Sequence, residues 1–416
     1  MGAVTRRHPT YIQDRNATRR HRPDYLLLVL MIALAAVGVI VVFSISPAIE
    51  VEKGISGNQY ILKQIIAVLL GLVLFGVGAA VPIDRWGKMW KPLVAFAAAA
   101  TLIALLMPVN ANYPAHRWIR MAGFSFQSVE LLKFAGIMWL ASFLSWRIKN
   151  GLMADRDKTL KPLFFAFVGV AGVVAFMQSD FGSFMVIVAM MFIMSFVAGL
   201  PVKKLFLAAA VLAILGTLLI SAMPYRRARL TAFMHPDCLS SGYQACQALI
   251  AVGSGGMIGL GLGRSVQAYG YLPEAENDSI FAIYAEKFGF IGVTILLGLF
   301  AAFFTRIRRI AERAPDDFSR LVVMGVLVWL SAQTIVNIGA MIGLLPLKGI
   351  TLPLVSYGGS SVLAVMGALG VVFQVSRHTL YSIPEKNEQV SGATYDDSSD
   401  RRRVRGAYHP APGRRP

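Results

Sequence analysis

Acidic side chains are scarce in this sequence: 22 Asp and Glu stand against 40 Lys and Arg in 416 residues. Cysteine and histidine are scarcer, at two and six. So few histidines, most of them near the chain ends, argue against a Ser-His-Asp or Cys-His nucleophilic site. No HExxH stretch occurs, and Cys238, Cys246 and the distant His235 do not make a structural zinc site. The glycine run GSGGMIGLGLG, residues 253–263, is followed by no GK[ST] and sits in no βαβ pattern, so neither a P-loop nor a dinucleotide site is expected, and no organic cofactor. It reads as bent or re-entrant backbone that permits close approach; at membrane depth such backbone must be buried in protein or line a wet cavity. The net charge of +18 is spread over many short connections, which excludes a nucleic-acid-binding domain.

Apolar residues are what the chain has in excess. They make up 56% of it, and the mean hydropathy is +0.61. A bilayer core needs about 20 mostly apolar residues as helix. Ten runs qualify, near 25–46, 61–81, 92–109, 130–148, 162–178, 182–200, 203–223, 280–305, 321–342 and 358–378. They are apolar all round, unlike the alternating segments of a β-barrel. The first run follows a polar leader of 24 residues and is too long for a signal-peptide core. The expected fold is an all-α polytopic membrane protein of ten transmembrane helices. Residues 1–24 form a basic tail, 25–378 the membrane domain, and 379–416 a polar tail that reads as disordered. Lys and Arg concentrate in the two tails and in every second connection, which hold 29 of the 40. That bias places both termini in the cytoplasm and one large extracellular loop, 224–279, between helices 7 and 8. The basic tails can also touch anionic membrane lipids or a cytoplasmic partner.

Most connections are short, so a loop of this length points to function. Within it YQACQALIAVG has helical spacing, and Cys238 and Cys246 lie on a side that permits a disulfide; two unpaired thiols are the alternative, and spacing leaves both open. The loop ends in YLPEAENDSIFA, where Glu274, Glu276 and Asp278 alternate in a chain poor in acids. Three other outer connections supply charge and hydroxyls to the same face. NANYPAHRWIRMAGFSFQSVELLKF brings Arg117, Arg120, Glu130 and Lys133; QSDFG brings Asp180; GLLPLKGITLPLVSYGGSS brings Lys348, Ser356, Ser360 and Ser361. Ionised groups at membrane depth are costly, which makes Glu130, Lys133 and Asp180 functional candidates. The plainer reading pairs Glu130 or Asp180 with Lys133 or Arg117 to hold helices together. The coincidence of cations with the acidic stretch favours an anionic ligand, with a carboxylate acting as base.

These stretches together resemble the SEDS family, the FtsW/RodA group of cell-wall glycan polymerases, over about residues 25–378. The motifs carrying the resemblance are AHRWIRMAGFSFQSVELLKF, QSDFGS, GYQACQALIAVGSGGMIGLGLGRSVQAYGYLPEAENDSIFAIYAEKFGFIG and GLLPLKGITLPLVSYGGSS. The acidic stretch is more similar to FtsW than to RodA, although Glu276, Asn277, Ser279, Ser128 and Ser179 depart from the usual pattern. The resemblance implies polymerisation of lipid II, a disaccharide-pentapeptide on undecaprenyl pyrophosphate, with a class B penicillin-binding protein as crosslinking partner. It puts the essential aspartate at Asp278 and implies a divalent cation, magnesium or manganese, which a carboxylate such as Glu274 would share with the phosphates. Arg117, Arg120 and Lys133 are the expected diphosphate ligands, with Glu130, Asp180, Glu274, Ser356 and Ser360 completing the binding set. The expected location is the bacterial plasma membrane at the division septum, among other divisome proteins. Three rival readings remain: an elongation-type polymerase, a lipid II flippase, and a non-catalytic scaffold.

Overall fold

The computed structural model describes residues 18–20, 22–54, 56–108, 116–121, 124–204, 207, 210, 233, 238, 239 and 242–380. All lie in one compact unit, Met1–Tyr381. The seventh expected run, 203–223, the start of the long loop, most of the leader, and the tail from 381 onward fall wholly or mostly outside the described residues.

Nine of the ten apolar runs coincide with helices among the described residues. They are α1 (Tyr25–Lys53), α2 (Gly57–Ala80), α4 (Trp90–Leu106), α5 (Ser128–Lys149), α6 (Arg156–Met177), α7 (Phe181–Val197), α9 (Ile280–Glu312), α10 (Asp317–Met341) and α11 (Gly359–Val375). A short α3 (Ile83–Lys88) joins α2 to α4, and α8 (Tyr243–Ser254) lies in the long loop. Six of these helices are long and apolar enough to cross a membrane, and α4, α7 and α11 are shorter apolar helices. Helix is the economical choice here because it satisfies every backbone group within the segment. Where it cannot, side chains compensate. Pro47 inside α1 leaves the Phe43 carbonyl without its usual donor, and the Ser46 hydroxyl bonds it at 2.8 Å.

The spans α5 and α10 are the most buried, and large apolar side chains face outward elsewhere: Val29, Phe43, Leu69, Val73, Phe96, Leu102, Phe165 and Ile295 are all exposed. A belt of this kind is a lipid-facing surface. Glycine sets the closest packing between α2 and α11. A Cβ on Gly370 would stand 2.2 Å from the Phe75 carbonyl oxygen, and one on Gly78 2.6 Å from that of Gly367. Small residues that let helix backbones meet are the usual glue in lipid, where apolar side chains gain nothing by leaving the hydrocarbon.

Contacts between chain-distant segments also tie the helices together at both ends. At one end Asp24 pairs with Arg306 at 2.6 Å, the Asp24 amide donates to the Ser376 hydroxyl, and Gly87 meets Phe318. At the other end the segments around 117–128, 178–183, 273–279 and 348–357 converge. There a hairpin of β2 (Trp118–Met121) and β3 (Phe124–Gln127) leads into α5. A second two-stranded pairing joins β1 (Thr18–Arg20) to β4 (His378–Leu380). Cys238 and Cys246 are joined by a disulfide with Cα atoms 5.3 Å apart, at the start of α8.

Candidate active site

The acidic stretch forms a tight turn directly before α9. Glu274 has a positive φ of 54°, and its carbonyl accepts from the amides of Asn277 and Ser279. The Ser279 hydroxyl donates to the Pro273 carbonyl at 2.9 Å, and Gln244 on α8 donates to that hydroxyl at 3.2 Å. The three acids therefore separate. Glu274 is exposed and accepts a bond from Asn277; Glu276 is buried, with its carbonyl accepting from the Tyr357 amide; Asp278 is half-buried. Asp278 alone among them lines a cleft, together with Val336, Asn337, Ala340, Met341, Lys348, Gly349 and Ile350.

Gly349 shows what the carboxylate faces. Its φ is +62°, and a Cβ there would stand 3.5 Å from Asp278 Oδ2 and 3.9 Å from both terminal nitrogens of Arg117. A carboxylate and a guanidinium thus both stand against one glycine, whose left-handed φ disfavours any side chain there. Arg117 is steered by Asp180, whose Oδ2 lies 3.8 Å from Nη1. Asp180 is itself fixed: it caps α7 through the Ser183 amide at 3.0 Å, and its Oδ2 accepts from the Ser183 hydroxyl and, at 3.2 Å, from Gln127. Asp180 thus meets Arg117 as an ion pair from a position fixed at the start of α7. Lys348 brings a second cation to the cleft, with Nζ 5.6 Å from the Phe181 ring centroid.

The expected binding set is only partly assembled here. Arg120 is exposed on β2, away from the cleft lining. Ser356 and Ser360 are buried; the Ser356 hydroxyl accepts the Leu352 amide at 2.7 Å and shapes the turn before α11. Glu130 and Lys133 lie inside the bundle. The Lys133 side chain is 1% exposed and bonds Glu130 at 2.7 Å and Gln333 at 3.0 Å. Gln333 also accepts from Trp329 and donates to Thr351. In this structure the Lys133 ammonium is committed to Glu130 and Gln333 inside the bundle. We expect Lys133→Met to cost about 3–5 kcal/mol of stability by stranding Glu130. Pairing it with Glu130→Gln should recover much of that loss, as thermal unfolding in detergent will show.

Two residues that matter most here are not singled out by the sequence. Asn337 lies outside the motifs that carry the resemblance, and Gly349 sits within GLLPLKGITLPLVSYGGSS without charge or hydroxyl to mark it. The available signal is a pair of amide side chains, Gln333 and Asn337, four apart on one face of an apolar span.

The chain is similar to known proteins over most of its length. The sequence model FTSW_RODA_SPOVE, described as "Cell cycle protein", matches residues 24–381. A "Probable peptidoglycan glycosyltransferase FtsW" of Saccharophagus degradans is 39% identical over 372 residues, covering 85% of this chain and 92% of the relative. The "Stage V sporulation protein E" of Bacillus subtilis is 36% identical, covering 88% of this chain and all of the relative. Among solved structures, a chain of a peptidoglycan synthase complex that coordinates polymerization and crosslinking superposes with a TM-score of 0.71 at 27% identity, covering 85% of this chain and 98% of that one. The rod shape determining protein RodA of Thermus thermophilus gives 0.63 at 26% identity, covering 85% and 97%.

Proposed function

We propose, from the premise that this chain belongs to the FTSW_RODA_SPOVE family, that it is a multi-pass membrane glycosyltransferase that polymerises lipid II into glycan strands. The observation that carries the chemistry is that the Asp278 carboxylate and the Arg117 guanidinium stand against the same glycine, Gly349. Chain growth joins a sugar 4-hydroxyl to an anomeric carbon bearing a lipid diphosphate. The hydroxyl is a weak nucleophile. Asp278 takes its proton as the new C–O bond forms, the bond from anomeric carbon to diphosphate oxygen breaks, and the diphosphate departs with the electron pair. That leaving group needs positive charge more than a proton donor. Arg117, paired with Asp180 and standing beside Gly349, and Lys348 on the cleft lining supply it. This arrangement differs from the paired carboxylates of a glycosidase.

No three acid, His or Cys side chains gather at one point among the described residues. A divalent cation would therefore draw most of its ligands from the diphosphate. Glu274, exposed and with its Oε1 clear of the Asn277 bond, suits the single-carboxylate mode of magnesium. When bound, such an ion supplies further charge neutralisation to the leaving group.

In the bilayer we place ten helices, with the Asp24–Arg306 end and both tails in the cytoplasm and the Asp278 cleft outside. The greater similarity of the acidic stretch to FtsW supports a role at the division septum, with a class B penicillin-binding protein crosslinking the product. The deciding assay is reconstituted protein with labelled lipid II, with and without that partner. Long glycan strands support the reading. Leaflet exchange without polymer would establish the flippase in its place, and neither activity would leave a scaffold.

A further inference from the structure

Two turns build the cleft, and one side chain ties them together. Asn337 lies on α10, 2% exposed. Its Nδ2 donates to the backbone carbonyl of Asp278 and to that of Ile350, at 2.7 Å each. Both amide hydrogens are thereby committed. The first bond fixes the backbone that carries the carboxylate. The second fixes the residue after Gly349, whose left-handed φ brings bare backbone beside Asp278 Oδ2. The other α10 residues lining the cleft, Val336, Ala340 and Met341, are apolar. Among the described residues, Asn337 Oδ1 has no hydrogen-bond partner despite its burial. An amide retained only to satisfy a helix interface would be matched at both ends; this one is matched only where it holds the two turns.

We propose that Asn337 is a positioning residue for glycosyl transfer: it sets where the Asp278 carboxylate stands relative to Arg117 and the reacting hydroxyl, without itself taking a proton. The inference rests on reading Asp278 as the base. Its action on the reaction passes through Asp278, so its loss falls on turnover and not on substrate capture. Misplacement of a catalytic group by about 1 Å can cost roughly a hundredfold in rate.

The test measures initial polymerisation rates of the reconstituted full-length protein across lipid II concentrations. Asn337→Ala is expected to lower kcat by at least about thirtyfold and leave KM within about threefold, the pattern of a lost transition-state contribution. Thr334→Val is the control. Thr334 is buried one turn earlier on α10 and, among the described residues, its hydroxyl bonds only the Leu330 carbonyl of its own helix, so its removal should leave both constants at wild-type values. Should Asn337→Ala fail to fold, Asn337→Ser, which keeps one donor, carries the same comparison with a smaller fall in kcat. A folded Asn337 variant with kcat within about twofold of wild type, or one whose loss lies wholly in KM, overturns the proposal. If Asp278→Asn is inactive in the same assay while the Asn337 variants retain turnover, the clamp alone is wrong; if Asp278→Asn is active, the reading beneath it is wrong.

Discussion

Asp278→Asn should give a protein that folds, inserts and binds lipid II, yet polymerises it at least about a hundredfold more slowly, since a positioned general base typically contributes 10²–10⁴ in rate. The substitution is nearly isosteric. The bond that anchors the residue runs from Asn337 to its backbone carbonyl and survives the change. The turn is held by Ser279, Glu274 and Gln244 through atoms that the substitution does not touch. What is lost is the carboxylate's charge and its capacity to accept a proton, so the defect belongs to the chemistry. Asp180→Asn makes the useful contrast. Both Asp180 oxygens receive hydrogen bonds at the start of α7, so that change should lower thermal stability first and reduce turnover through a less constrained Arg117. Normal polymer yield from purified Asp278→Asn would end the assignment of this residue as base.

How far the sequence can be read follows from which signals are local. Run length is local, and nine of ten apolar runs coincide with helices among the described residues. The short helix in the long loop is local too, because YQACQALIAVG has helical spacing, and it appears as Tyr243–Ser254. The hairpin at 118–127 escapes a reading of this kind, since its two four-residue strands leave little periodic signal. Direction of burial is not local. Lys133 reads from the sequence as a cation at membrane depth, with pairing to Glu130 as the plainer alternative to a ligand role; that pair is present, and packing adds the partner Gln333, 200 residues away. The cleft shows the same division. Asp278 stands out as an acid in a chain short of acids, whereas Asn337 and Gly349 matter through what their backbone neighbours are, a property that composition does not carry.

The largest structural effect is expected from a single methyl group at Gly289. Helix α9 breaks there: φ is 63° and ψ −165°, a region open essentially to glycine alone. The glycine run supplies the backbone partners that the break leaves wanting. The amides of Leu260 and Gly261 donate to the carbonyls of Glu286 and Lys287, and those of Phe290 and Ile291 donate to Gly256 and Met257, all between 2.9 and 3.1 Å. This explains the run without any phosphate: Gly255 and Gly259 are bare because a Cβ would stand 2.1 Å from the Ala285 oxygen and 2.2 Å from the Lys287 oxygen. Two buried charges brace the same junction. Glu286 accepts from Ser265, Val266 and Gln267, and Lys287 donates to the Leu262 carbonyl and across to Ser44 on α1. A Cβ on Gly289 would stand 2.3 Å from the Gly259 amide nitrogen. Gly289→Ala must therefore part the two backbones and unsatisfy buried groups on both sides, at about 1–3 kcal/mol for each. Little monodisperse protein should survive detergent extraction, and what survives should make no polymer, because the half of α9 above the break begins at Ile280, two residues after Asp278. Gly259→Ala should behave alike, from the other side of the same contact. Gly298→Ala, nine residues further along α9 with nothing within 4 Å of its added Cβ, should match wild type in yield and rate. Equal yields from Gly289→Ala and Gly298→Ala would mean that the glycine run does not seat against this helix, and the path by which the bundle holds its carboxylate in place would have to be sought elsewhere.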